Sequence, residues 1–227
     1  MQRRLHDGFG MTGNGDDREG FAAFMLRMRA KGIGDQALFS AIEATPRRAF
    51  VPGQWREAAW LNRMLPIACG EAIEGIDLQA QVIAALALEP GHRVLEVGTG
   101  SGFTAAVMAR LSARVLTLER YRTLVGEAEQ RAATLGISNI IVRHADGSNG
   151  VAAEGPFDRI VVWASFESLP RNFVDQLASG GVMAAPIGPG DGVQQLARQT
   201  KLGSRFERED MGEVRLQPLA PGVAAAL

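Results

Sequence analysis

Cysteine occurs once in the 227 residues, at Cys69. A single thiol excludes an internal disulfide and a cysteine-built zinc centre, and it suits a reducing compartment. The expected location is cytoplasmic. Histidine is also scarce: His6, His92 and His144 lie too far apart for metal-ligand spacing, and no metal is expected. No apolar run reaches the roughly 18 residues of a membrane span. The first residues, Met1-Gln2-Arg3-Arg4-Leu5-His6-Asp7, carry basic charge without the apolar stretch of a secretory signal. Neither sign of charge dominates. A net charge of −1 supplies no basic field for nucleic acid, so neither nucleic acid nor membrane is an expected partner. Internal repeats are absent too, and composition sets no oligomeric state.

What is present is ordinary globular material arranged as alternating strands and helices. Residues 1–17, with the polar run Met11-Thr12-Gly13-Asn14-Gly15-Asp16-Asp17, are expected to be loosely attached. Residues 18–227 are expected to form one domain. Within it, 18–90 is a helical, substrate-side region, 91–190 a ligand-binding core and 191–227 an edge hairpin. Phe21, Phe24, Met25 and Met28 fall on one helix face, and Gly32 is placed to stop that helix. Asp35 can cap a second helix carrying Leu38, Phe39 and Ile42. After an irregular stretch from 50 to 76, a third helix is predicted from Leu78 to Leu88. Strands are predicted at Arg93–Val97, Arg114–Glu119, Ile140–His144, Asp158–Trp163 and Val182–Ile187. Helices are predicted between them at Phe103–Leu111, Arg122–Leu135 and Pro170–Ala178, the last stopped by Gly180-Gly181. This alternation predicts an α/β fold with a mainly parallel sheet covered on both faces. The tail, Val193–Thr200 and Phe206–Leu219 around Leu202-Gly203-Ser204, reads as an antiparallel hairpin at the sheet edge.

The most informative segment is Arg93-Val94-Leu95-Glu96-Val97-Gly98-Thr99-Gly100-Ser101-Gly102. A buried parallel strand runs into a glycine turn, and glycine lets the main chain approach a ligand with no Cβ between them. The spacing is G-x-G-x-G, and Phe103 stands where the dinucleotide fingerprint needs its third glycine. Glu96 beside this turn would repel a pyrophosphate and attract a cation. Both features point away from a nicotinamide-dependent oxidoreductase and toward S-adenosyl-L-methionine, which carries a sulfonium and an ammonium. Further carboxylates end the next two strands. Glu119, followed by Arg120, can accept ribose hydroxyls, and Asp146, followed by Gly147, can accept the adenine amine. The candidate cofactor-binding set is therefore Glu96, Gly98, Thr99, Gly100, Ser101, Gly102, Glu119, Arg120, Asp146 and Gly147. A non-catalytic S-adenosyl-L-methionine-binding protein fits the same set.

Several segments together resemble the protein-L-isoaspartate (D-aspartate) O-methyltransferase family over about residues 20–219. They are Ala41-Ile42-Glu43-Ala44-Thr45-Pro46-Arg47-Arg48-Ala49-Phe50-Val51-Pro52, Leu65-Pro66-Ile67, the Val94–Gly102 turn, Asp146-Gly147-Ser148, Pro156-Phe157-Asp158-Arg159-Ile160 and two tail segments, Phe206-Glu207-Arg208-Glu209-Asp210 and Val214-Arg215-Leu216-Gln217-Pro218-Leu219. The resemblance implies a Rossmann-like, S-adenosyl-L-methionine-dependent methyltransferase with N-terminal helices and an edge hairpin. It implies methyl transfer to isoaspartyl carboxylates of damaged proteins, so the implied partner is a protein or peptide bearing such residues.

One position departs from the family pattern Gly-x-x-Ile-Ser/Thr-x-Pro. Here the segment is Gly70-Glu71-Ala72-Ile73-Glu74-Gly75-Ile76, which puts Glu74 on the hydroxyl position and makes it the candidate catalytic residue. A carboxylate acceptor needs no general base at pH 7. Three chemistries are open for Glu74: turned away while backbone donors serve, protonated and donating, or acting as a base toward an amine or hydroxyl or as the partner of a cation. Ser165 and Ser168 could supply the absent hydroxyl. Trp163, where many relatives carry a small residue, narrows the expected pocket. Trp55 and Trp60 read as packing residues with a groove as the alternative, and Arg47 and Arg48 as a solvated helix end that could attract an acidic peptide.

Overall fold

The structure, a computed structural model, describes residues 14–224. Two short helices lead the chain, α1 (Asn14–Ala30) and α2 (Gln36–Glu43). Asp35 caps α2, its carboxylate accepting from the N–H groups of Ala37 and Leu38. Phe24 and Met28 of α1 and Leu38, Phe39 and Ile42 of α2 are fully buried, as their helical spacing requires. Residues 1–13 of the stretch expected to be loose lie outside the described residues, but 14–17 belong to α1. Asp17 is held there by the Trp60 indole N–H at 2.9 Å and by Arg48 Nε at 2.8 Å.

Between residues 47 and 70 the chain makes three 3-10 turns. The third of them closes a two-residue hairpin, β1 (Leu65–Pro66) against β2 (Ala72–Ile73), with Leu65 opposite Ile73. Helix α3 (Ile76–Leu86) starts two residues earlier than predicted. Then come β3 (Arg93–Val97), α4 (Phe103–Ala109), β4 (Arg114–Glu119), α5 (Arg122–Thr134), β5 (Ile140–His144), β6 (Phe157–Val162), α6 (Arg171–Gln176), β7 (Leu177–Ile187), β8 (Gln194–Leu202) and β9 (Arg205–Val214). The strands form one sheet in the order β5-β4-β3-β6-β7-β8-β9, parallel through β7 and antiparallel for the last two. Chain order reverses direction at β3, so the crevice for a ligand opens at the carboxyl ends of β3 and β6. Val94, Val115, Val161 and Val182 pack one sheet face against the helices α1 to α4, while Leu95, Val97, Leu116 and Ile160 pack the other with Phe173 of α6.

Two boundaries differ from the sequence reading. Strand β7 begins at Leu177 rather than Val182, and Gly180-Gly181 lies inside it. Phe157 pairs with Leu177 and Arg159 with Val182, so three extra residues bulge from β7, and Gly180 takes φ +76° there. The glycines bend the strand instead of ending a helix. Strand β9 stops at Val214 rather than Leu219. Residues 215–220 leave the edge and return across the carboxyl end of the sheet, where Ser165 N–H donates to Gln217 O at 2.8 Å and Leu219 N–H to Ser165 O at 3.0 Å. Among the described residues no helix is long and apolar enough to cross a membrane.

Candidate active site

A cleft lies over the carboxyl ends of the parallel strands. Its floor is Val97, Gly98 and Gly100 from β3 and its turn. Glu119, Arg120 and Tyr121 form the β4 side, with Gly147 beyond, and Trp163 and Ala164 form the β6 side. Glu71, Ala72 and Glu74 come from the β2 hairpin, and the tail Arg215–Ala220 closes the rim. Of the sequence candidates, Gly98, Gly100, Glu119, Arg120, Gly147 and Glu74 meet in this cleft. Thr99 and Ser101 line a recess continuous with it, again with Glu74 and Trp163.

The turn is built by its glycines. Gly98 and Gly100 take φ +93° and +52°, a region other residues enter at a cost. A Cβ on Gly98 would lie 3.2 Å from Trp163 Cβ. Glu119 holds the turn from the next strand: Oε2 accepts from Gly100 N–H at 2.9 Å, and Oε1 from the N–H groups of Arg120 at 2.7 Å and Tyr121 at 3.0 Å. Burial pushes the Glu119 carboxyl above its ordinary range, against those backbone bonds. Gly147 owes its identity to Val97, whose Cγ1 a Cβ there would meet at 2.5 Å.

Three candidates, Glu96, Asp146 and Gly102, line neither the cleft nor the recess. Glu96 is fully buried and does not reach the cleft. Alternation along β3 turns it to the opposite face from Val97, where Oε1 accepts from Thr104 Oγ1 at 2.5 Å and Trp163 Nε1 at 3.0 Å, and Oε2 from Thr117 Oγ1 at 2.7 Å. Asp146 caps its own 3-10 turn, accepting from Ser148 N–H at 2.8 Å; those bonds, with a further one from the Gly222 backbone, hold its pKa down. Gly102 serves packing: a Cβ there would lie 2.9 Å from Ala128 Cβ of α5. Arg47, expected on a solvated helix end, is wholly buried. Ser165 turns its hydroxyl to Gln217 O, and Ser168 is exposed, so neither replaces the absent hydroxyl. Trp55 and Trp60 pack inward, Trp60 against Phe21 and Phe24.

Sequence reasoning missed Glu71, Tyr121 and the 215–220 rim. Tyr121, the sole tyrosine, lines the cleft together with Glu71, and burial, with the Glu71 carboxylate nearby, raises its pKa. The rim was hidden by reading β9 five residues too long. Glu74 is half-buried, and desolvation raises its pKa.

The β4 side of the cleft is polar, with Glu119, Arg120 and Tyr121, and the β6 side carries Trp163 and Ala164. The sequence profile of the protein-L-isoaspartate(D-aspartate) O-methyltransferase family matches residues 20–224. The chain belongs to this family. It is 46% identical over 202 residues to the protein-L-isoaspartate O-methyltransferase of Rhizobium meliloti (strain 1021), covering 89% of this chain and 99% of that one. Its identity to the Azorhizobium caulinodans protein of the same name is 45% over 217 residues, 96% of this chain and 100% of the relative. Among solved structures, a Plasmodium falciparum chain described as a protein-L-isoaspartate O-methyltransferase in complex with S-adenosyl-L-homocysteine superposes with TM-score 0.73. Identity there is 25%, covering 87% of this chain and 97% of that one.

Proposed function

We propose that this chain methylates the free carboxylate of isoaspartyl residues in damaged proteins and peptides, using S-adenosyl-L-methionine. The observation that carries the reading is the joining of two features in one cleft: a glycine turn clamped by Glu119, and Glu74 from the β2 hairpin beyond it. Gly98 and Gly100 line the cleft in left-handed backbone conformations, and the buried Ser101 hydroxyl beside them has no hydrogen-bond partner among the described residues. These groups suit the amino-acid end of the cofactor. Glu119 and Gly147 suit its adenosine arm. When bound, the cofactor supplies a methyl group on a sulfonium.

The remaining work falls to this chain's residues. The acceptor carboxylate is already nucleophilic at neutral pH, so alignment and exclusion of water are what the site must provide. Glu74 serves as a neutral carboxyl that donates a hydrogen bond to the acceptor. Its desolvated setting supports this protonation state, and an acceptor carboxylate alongside raises its pKa further. A protonated glutamate then does what the family's hydroxyl does. Protein repair by such chemistry suits a cytoplasmic location.

The test is methyl transfer to an isoaspartyl peptide by wild type, Glu74→Gln and Glu74→Ser across pH 5 to 9. Wild-type activity is expected to fall as Glu74 deprotonates. The glutamine and serine variants keep a permanent donor, so their profiles should lack that fall. A wild type that binds S-adenosyl-L-homocysteine but methylates amines or alcohols instead of the peptide would overturn the assignment.

A further inference from the structure

Trp163 stands where β6 ends, and it is the one large aromatic side chain shared by the cleft and the recess that holds Glu74. Its position is fixed twice. Its Cβ presses on Gly98, where an added Cβ would come within 3.2 Å, and its Nε1 donates to Glu96 Oε1 at 3.0 Å. Glu96 is itself held by hydrogen bonds from Thr104 on α4 and Thr117 on β4. The only polar atom of the indole is thereby satisfied from inside the protein, which leaves hydrocarbon to face the ligand space. The sheet order places this wall on the β6 side of the glycine turn, opposite Glu119 and Gly147. On the methyl-transfer reading above, with the adenosine arm over Glu119 and Gly147, this wall borders the reactive end of the ligand.

We propose that Trp163, anchored by Glu96, forms the apolar wall of the methyl-acceptor pocket and determines which carboxylate-bearing residues reach the methyl donor. This rests on the methyl-transfer reading above. The acceptor carboxylate lies between Trp163 and Glu74, and the indole limits the bulk allowed beside it. A rigid wall also excludes water from the line of transfer. Glu96 acts only through the indole and is a positioning residue.

Two acceptors separate this role from a merely structural one: an L-isoaspartyl peptide and the D-aspartyl peptide of the same sequence, which present a carboxylate in different surroundings. Trp163→Gly is expected to raise the KM for the L-isoaspartyl peptide and to shrink the ratio of the two kcat/KM values at least tenfold. Its affinity for S-adenosyl-L-homocysteine, read by calorimetry, should stay within threefold of wild type. Glu96→Gln retains an acceptor for the indole and should keep the wild-type ratio, whereas Glu96→Leu should shift it as Trp163→Gly does. If Trp163→Gly fails to fold, Trp163→Phe and the Glu96 pair carry the same comparison. An unchanged ratio, or cofactor affinity that falls in step with activity, overturns the proposal while leaving the reaction in place. A wild type that binds S-adenosyl-L-homocysteine yet methylates neither peptide overturns the underlying reading and this inference with it.

Discussion

Arg47 grips the main chain of Glu74: its Nη2 donates to the Glu74 carbonyl oxygen at 2.7 Å. The same guanidinium donates through Nε to Ala59 O at 2.8 Å and through Nη1 to Gln79 Oε1, and its Cζ sits 4.6 Å from the Phe103 ring centre. One wholly buried side chain thus joins the loop carrying Glu74 to α3 and to the first residue of α4, directly after the glycine turn. Arg47→Met would leave two carbonyls and a glutamine unpaired in the interior. At ~1–3 kcal/mol for each unsatisfied group, the expected loss is at least about 3 kcal/mol. Urea denaturation measures it. A loss below about 1 kcal/mol would show that water or a shifted loop replaces the guanidinium.

Glu96 gives the fold a pH signature. Burial raises its carboxyl to about 7, opposed by the bonds from Thr104, Thr117 and Trp163. The folded pKa is above the unfolded value of about 4.3. The stability tied to this group is therefore fully present below pH ~4 and is lost as pH rises through 7. A difference of two to three pKa units corresponds to roughly 3 kcal/mol. The stability of Glu96→Gln relative to wild type should improve between pH 5 and pH 8 by an amount of this order. Equal differences at both pH values would mean that Glu96 stays ionised in the fold.

The strands of the core were legible because a parallel sheet buried on both faces demands unbroken apolar runs, and β4 and β5 have the predicted ends. The same property concealed the role of Glu96. With both faces apolar, nothing in Arg93–Val97 tells which face looks onto the ligand, and only the packing of Thr104 and Thr117 behind β3 decides it. Asp146 was open to two uses for a different reason. An aspartate before glycine suits either a ligand or an Asx cap, and Asp146 Oδ1 makes the cap. Arg47 was read from its charge, and its burial depends on partners 12 to 32 residues away. The glycines of the turn divide into two that line the cleft, Gly98 and Gly100, and one, Gly102, that lets α4 and α5 meet.

Glu119 is expected to govern cofactor affinity through the turn it clamps. Its two oxygens serve three backbone N–H groups. In Glu119→Gln one oxygen remains, and the amide NH₂ must face a backbone donor. Titration with S-adenosyl-L-homocysteine should show binding weakened at least tenfold, about 1.4 kcal/mol. The acceptor KM should change less than the cofactor affinity. Unaltered affinity would remove Glu119 from the binding site.

Gly102 and Ala128 offer a test of how the turn is supported. At φ +83° Gly102 is in a region that costs another residue about 1–2 kcal/mol, and an added Cβ would stand 2.9 Å from Ala128 Cβ. Overpacking of this kind adds ~1–3 kcal/mol. Gly102→Ala should therefore destabilise the protein by about 3 kcal/mol. Ala128→Gly alone should cost about 1 kcal/mol, the helix propensity lost in α5. In the double variant the steric part disappears and the backbone part persists, so the two changes should couple favourably by ~1–2 kcal/mol in a double-mutant cycle. Strict additivity would show that the left-handed backbone alone dictates glycine at this position, and that α5 does not press on the turn.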